Sequence, residues 1–102
     1  MIIVSERPSN EVRQMVYAFF AEECGVATEA LRDESRIIED LDGDSLMLLS
    51  LLGSVCRRYG IKVELRTLGR HLMRKPAGTV GEVVTLTEAL ARHGDKILEI
   101  EL

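Results

Sequence analysis

The sequence predicts an all-α fold: a bundle of four helices with one long loop between the first and the second. Three observations carry this expectation. Apolar residues recur at helical spacing in four separate segments. The 102 residues include no Trp, two Phe and two Tyr, so the core has to be aliphatic, which suits packed helices better than a sandwich built on aromatic cross-strand pairs. Glycines or capping residues stand where the segments must begin or end. A chain of this length is expected to form a single domain, 1–102, and to bury roughly two-thirds of its unfolded surface without help from metals or disulfides.

The first helix is predicted from about Ser9 to Cys24, where Val12, Met15, Val16, Phe19 and Phe20 form one apolar stripe. Ser9 or Asn10 can cap its start, and Gly25 is placed to end it. From Ala27 to Gly43 no period is sustained. This stretch reads as an ordered acidic loop pinned to the core by Leu31, Ile37, Ile38 and Leu41. The second helix begins at Asp44-Ser45, with Asp44 as N-cap, and runs to Tyr59, where Gly60 stops it. A single buried stripe there would use Leu46, Leu49, Leu52, Val55 and Tyr59, which leaves Met47, Leu48 and Leu51 as surplus apolar residues. The third helix, from about Glu64 to Arg74, sets Leu65, Leu68 and Leu72 opposite a row of arginines, and Gly69 weakens its middle. Pro76 and Gly78 break the chain. Thr79-Val80-Gly81-Glu82 then spells a capping box that opens the last helix, which Gly94 ends. The tail, 94–102, is apolar enough to pack, but nothing in the pattern says where.

Net charge is −4, but the average conceals a segregation. Residues 22–44 hold nine acids against two arginines, a balance of −7, whereas 57–75 hold seven Arg and Lys against Glu64, a balance of +6. Nucleic acid is not an expected partner, since the total is negative and no aromatics interleave with the basic residues. No stretch approaches the roughly 20 apolar residues of a membrane span, and the short apolar start lacks the basic region of a signal peptide. A cytoplasmic protein is therefore expected, with Cys24 and Cys56 reduced, since they follow no ligand or redox spacing.

The informative stretch is Leu41-Asp42-Gly43-Asp44-Ser45-Leu46, where the acidic loop turns into the apolar second helix. A serine in the first turn of a helix is ordinarily no more than a local capping residue. Its surroundings say more. The segment resembles the signature of the acyl carrier protein family, the phosphopantetheine-binding carriers, in which an Asp-Ser-Leu triplet follows a Leu-Gly-like turn. Ile37-Ile38-Glu39-Asp40-Leu41 looks like that family's acidic approach, Tyr59-Gly60-Ile61-Lys62-Val63 resembles the end of its second helix, and Thr79 to Val84 resembles the start of its last. The resemblance spans about residues 10–93.

It implies a covalent phosphopantetheine arm on Ser45, flanked by Asp44 and Leu46, whose terminal thiol holds acyl groups as thioesters. It also implies a protein without catalytic residues of its own, monomeric, acted on by a phosphopantetheinyl transferase and by acyl-loading and acyl-transferring enzymes such as a ketosynthase or an acyltransferase. Fatty acid, polyketide or related lipid biosynthesis is the expected setting. A peptidyl or aminoacyl carrier is the alternative, because the turn before Ser45 lies between the two patterns.

Two other classes compete. Gly43-Asp44-Ser45-Leu46 also spells the nucleophile block of the GDSL esterases, but those need a preceding buried strand and a late Asp-x-x-His. Leu68 and Leu90 stand three residues before His71 and His93, so base and orienter are missing. The other competitor is an unmodified, carrier-like helical adaptor that binds through its third helix. Many carriers of fatty acid synthesis show an acidic second helix, yet no acid follows Ser45 until Glu64. The surplus leucines either sit deeper in the bundle or make an apolar docking face or wider acyl groove. Lys62, Arg66, Arg70 and Arg74, spaced by four, form either a solvated basic face or a docking surface.

Overall fold

The first amphipathic stripe forms α1, Arg7–Cys24. The computed structural model describes residues 7–74 and 77–93, so the packing of the tail and the break at Pro76 fall outside the described residues. Val12, Val16 and Phe20 are wholly buried, and Met15 and Phe19 pack beside them. The helix starts two residues earlier than predicted, so Ser9 and Asn10 lie within it rather than capping it. Pro8 is tolerated there because first-turn N–H groups have no intrahelical acceptor. Gly25 ends the helix in the left-handed region (φ 68°), and Val26 N–H reaches back to the Ala21 carbonyl at 3.0 Å.

Three further helices follow: α2, Ser45–Tyr59; α3, Leu65–Arg74; and α4, Val80–His93. They pack with α1 as the predicted all-α bundle, α1 chiefly against α4, and α2 against both α3 and α4. The predicted punctuation holds. Glu82 accepts from Gly78 N–H (2.6 Å) and Thr79 N–H (3.2 Å), while Glu82 N–H donates to Thr79 Oγ1 (3.2 Å), which completes the capping box. Gly60 sits at φ 66°, and Ile61 N–H bonds the Cys56 carbonyl at 2.8 Å. In α3, Leu68 and Leu72 are buried opposite exposed Arg66, Arg70 and Arg74.

The stripe of α2 has a different phase from the predicted one. Leu46 is 75% exposed, whereas Leu48, Leu51, Leu52, Val55 and Cys56 are buried. These five recur at i, i+3, i+4, i+7 and i+8, a proper helical face. Leu49 and Tyr59 are half-buried at its margin. The reason is that α2 meets two neighbours and so buries a wide arc. The 48–56 face enters the bundle, and Leu49 leans on Gly69 of α3, where an added Cβ would lie 3.6 Å from it. Leu48 and Leu51 are therefore core residues, and the apolar docking face built on them is excluded.

The loop between α1 and α2 contains one 3-10 turn, Thr28–Ala30. Leu31 and Ile37 are buried as predicted and Leu41 is half-buried, but Ile38 is 69% exposed and anchors nothing. Backbone bonds explain the difference. Ile37 N–H donates to the Gly78 carbonyl (2.9 Å), Val80 N–H to the Ser35 carbonyl (3.0 Å) and Gly81 N–H to the Asp33 carbonyl (2.9 Å), so the loop is stitched to the start of α4 around one antiparallel bridge between Arg36 and Thr79. Directly after Ile37 the chain turns, with Asp40 and Leu41 N–H groups bonding the Arg36 carbonyl, and Ile38 lies on the outer side of that turn. Gly81 permits the approach, for a Cβ there would meet Asp33 Cβ at 2.9 Å.

Side chains add a second tether. Arg13 grips the Asp33 carboxylate with two N–H groups (2.8 and 3.2 Å), and the Tyr17 hydroxyl donates to the same carboxylate. Arg58 of α2 pairs with Glu11 of α1 at 2.6 Å. The Arg13 hydrogen bonds, then that of Tyr17, hold the Asp33 carboxyl below the usual carboxylate range. Burial first, and then the bond to Asp33, pushes the Tyr17 hydroxyl up.

Two outcomes are expected. Leu48→Ala should cost about 2–4 kcal/mol in denaturant unfolding, as for other buried leucines, whereas Leu46→Ala should stay within about 0.5 kcal/mol. Asp33→Asn should lower stability by about 1 kcal/mol at neutral pH, the scale of a part-exposed bidentate pair. A carboxylate with a depressed pKa stabilises the fold above the ordinary carboxylate range, and the contribution is lost as pH falls through the depressed value. The stability curves of the wild type and the Asp33→Asn variant should therefore converge in acid, which a pH series of melts would show.

Candidate functional site

Ser45 is the first residue of α2, and its position follows from the turn before it. Asp40, Leu41 and Asp42 N–H groups donate back to the Arg36 and Ile38 carbonyls, and Gly43 N–H donates to the Ile37 carbonyl at 2.8 Å. Asp40 closes the turn by accepting from Arg36 N–H (2.8 Å) and pairing with the Arg36 guanidinium (3.1 Å). Asp42 takes a left-handed conformation (φ 60°), which aspartate tolerates better than most residues. Gly43 is buried with no room for a side chain, since a Cβ would lie 2.8 Å from Ile37 Cγ2 and 3.2 Å from Met47 Sδ. The chain then leaves the core, and Asp44 caps α2 in extended conformation with its carboxylate accepting from Met47 N–H at 3.0 Å.

This delivers Asp44, Ser45 and Leu46, all three exposed, at the positive end of the α2 dipole. Asp44 is the cap, Ser45 is exposed at the first position of the helix, and Leu46 stands beside it as one of the exposed large apolar side chains. Ser45 opens onto a groove of about 390 Å³ between α2 and α3, lined also by Leu49, Arg66, Gly69, Arg70, Leu72 and Met73. A larger groove of about 810 Å³ lies between the loop, α3 and α4, around Asp33, Thr79 and Thr85, and Ser45 is not on it. The α3 residues beside the serine are the part that sequence reasoning does not assemble. The arginine spacing is visible there, but which helix face borders Ser45 depends on how α3 packs against Leu49.

Neither cysteine offers a reactive thiolate. Burial pushes both the Cys24 and Cys56 thiols up, and Cys56 is in the core.

Comparison with known proteins settles the family. The family model for the phosphopantetheine attachment site matches residues 14–86. The chain is 38% identical over 90 residues to an acyl carrier protein homolog of Clostridium acetobutylicum, covering 88% of this chain and 87% of that one. It is 30% identical over 78 residues to the acyl carrier protein of Thermotoga maritima, covering 76% and 89% respectively.

The chain belongs to the acyl carrier protein family. It is a phosphopantetheine-bearing acyl carrier and not an enzyme, so the esterase reading falls. As a carrier it interacts with modifying and acyl-handling enzymes. Among the described residues no helix is long and apolar enough to cross a membrane.

The N-cap has a measurable consequence. Asp44→Ala should destabilise the protein by about 1 kcal/mol in thermal or urea unfolding, and Asp44→Asn, which keeps a capping oxygen, by only a few tenths.

Proposed function

We propose that Ser45 is the residue that carries the phosphopantetheine arm, and that the chain holds acyl intermediates for fatty acid, polyketide or related lipid biosynthesis. The observation that supports this most is the exposed Ser45 hydroxyl at the first turn of α2, held there by a capped helix start and a turn too tight for any side chain at Gly43. The residues fit the group. A phosphodiester on Ser45 would meet the positive end of α2, where N–H groups favour an anion. Loading needs no base on this chain: with a transferase supplying the catalysis, the Ser45 hydroxyl bonds to phosphorus, the pyrophosphate link of coenzyme A breaks, and adenosine bisphosphate leaves as the hydroxyl proton is released. Once attached, the arm supplies a terminal thiol that holds acyl groups as thioesters.

The chain's own contribution is presentation. Asp44 fixes the helix start, Ser45 anchors the arm, and Leu46 offers apolar surface beside it. The partners of this reading are a phosphopantetheinyl transferase and, for the loaded arm, a ketosynthase or an acyltransferase, meeting a monomeric carrier in the cytoplasm.

Incubation of the apo protein with coenzyme A and a broad-specificity transferase, followed by intact-mass analysis, tests the site. One phosphopantetheine adduct is expected on the wild type and none on Ser45→Ala, with the two proteins equally stable. An adduct that persists in Ser45→Ala would place the arm elsewhere, and no adduct at all would favour the unmodified adaptor.

A further inference from the structure

The α2–α3 groove carries positive charge that the rest of the protein does not use. Three arginines of the described residues are committed to internal ion pairs: Arg13 to Asp33, Arg36 to Asp40 and Arg58 to Glu11. Arg66 and Arg70 are not among them. Among the described residues no carboxylate pairs with either, and both are exposed. They stand one helical turn apart on α3 and line the same groove as Ser45.

Of the acids just before Ser45, Asp44 is engaged as the cap of α2 and Asp40 as the partner of Arg36. Two guanidiniums thus edge a groove whose walls, Leu49, Leu72 and Met73, are apolar. Gly69 keeps the groove open at its middle, because the position opposite Leu49 has no side chain. An arginine fork matches the oxygens of a phosphate or a carboxylate, and beside an apolar wall its hydrogen bonds compete less with water.

We infer that Arg66 and Arg70 form an anion-binding site for the arm, one that draws an anionic group tethered at Ser45 along the α2–α3 groove. The inference rests on Ser45 as the point of attachment. Two tethered anions share the required chemistry: the phosphodiester of the arm itself, and a carboxylate at the far end of an acyl cargo. The site biases the arm toward α3 rather than toward the acidic loop on the other side of the serine. Apolar surface at Met73, 84% exposed, extends the track beyond the arginines.

Isotope-labelled full-length protein distinguishes these sources through the arginine Nε–H resonances. Four forms are compared: apo, phosphopantetheinylated, hexanoyl-loaded, and loaded with the adipyl hemi-thioester, whose chain is as long but ends in a carboxylate. Intact mass confirms each loading first, so a failure of attachment at Ser45 is seen before any spectrum is read. A shift of the Arg66 and Arg70 resonances on phosphopantetheinylation, reduced at high salt, supports the site with the phosphodiester as its anion. A shift that appears only with the adipyl form supports it with the cargo carboxylate. In the Arg66→Gln/Arg70→Gln double variant the shift should disappear with the melting temperature unchanged and, where the phosphodiester is the anion, the phosphorus resonance of the arm should move toward its position in the urea-unfolded phosphopantetheinylated protein. Identical arginine resonances in all four forms, or a shift caused equally by hexanoyl and adipyl groups and absent from the unacylated form, would overturn the inference.

Discussion

The structure depends on the clasp between residues 33–37 and 78–81. Helices α1 and α2 are separated by twenty residues, and fixing a loop of that length costs conformational entropy that local turns alone do not recover. Three backbone hydrogen bonds to the start of α4 supply the missing constraint, and Ile37 buries itself where they form. Asp33 sits at the junction. Its carbonyl accepts from Gly81 of α4, and its carboxylate accepts from Arg13 and Tyr17 of α1. One residue thus ties together loop, first helix and last helix. The turn to Gly43 is built outward from that point, and the start of α2 inherits its position from the turn.

Charge is organised by the same geometry. Three acids of the acidic run have structural work: Asp33 grips α1, Asp40 locks the turn and Asp44 caps α2. The basic run has no such obligations at Arg66 and Arg70. Sequence balance alone would have allowed the two runs to neutralise one another across the bundle. Instead these three acids serve the loop and its junctions, and Arg66 and Arg70 of α3 line the groove that Ser45 shares.

Most of the fold is legible in the sequence because its signals are local. The stripe of α1, the Asp44 cap, the capping box at Thr79 and Glu82, and the glycines after Cys24 and Tyr59 each depend on residues within a few positions. The departures share a different cause. The phase of α2 differs from expectation because both a stripe from Leu46 and a stripe from Leu48 satisfy helical spacing in a segment this rich in leucine. Only the placement of α3 and α4 around the helix chooses between them. Ile38 is exposed against expectation because the turn that carries it begins where Ile37 is pinned to Gly78, some forty positions away. The candidate site divides in the same manner: Asp44, Ser45 and Leu46 are readable as a motif, whereas the α3 wall of the groove is a product of tertiary packing.

That division has a consequence for how such a site can change. Ser45 and Leu46 at the head of α2, and Arg66, Arg70 and Met73 on α3, are exposed and contribute little to the core, while Leu48 and Leu68, two residues further along each helix, are 7% and 2% exposed. Exposed groove positions and buried positions alternate along the same helices, with Leu72 both in the core and in the groove wall. Substitution on the outer face should therefore alter what the groove attracts at almost no expense in stability, since surface changes away from caps and buried groups usually stay within about 0.5 kcal/mol. A second helix without acids and a third rich in arginine are compatible with an unaltered fold for this reason. The bundle constrains where Ser45 is presented, and leaves the chemistry surrounding it open to change.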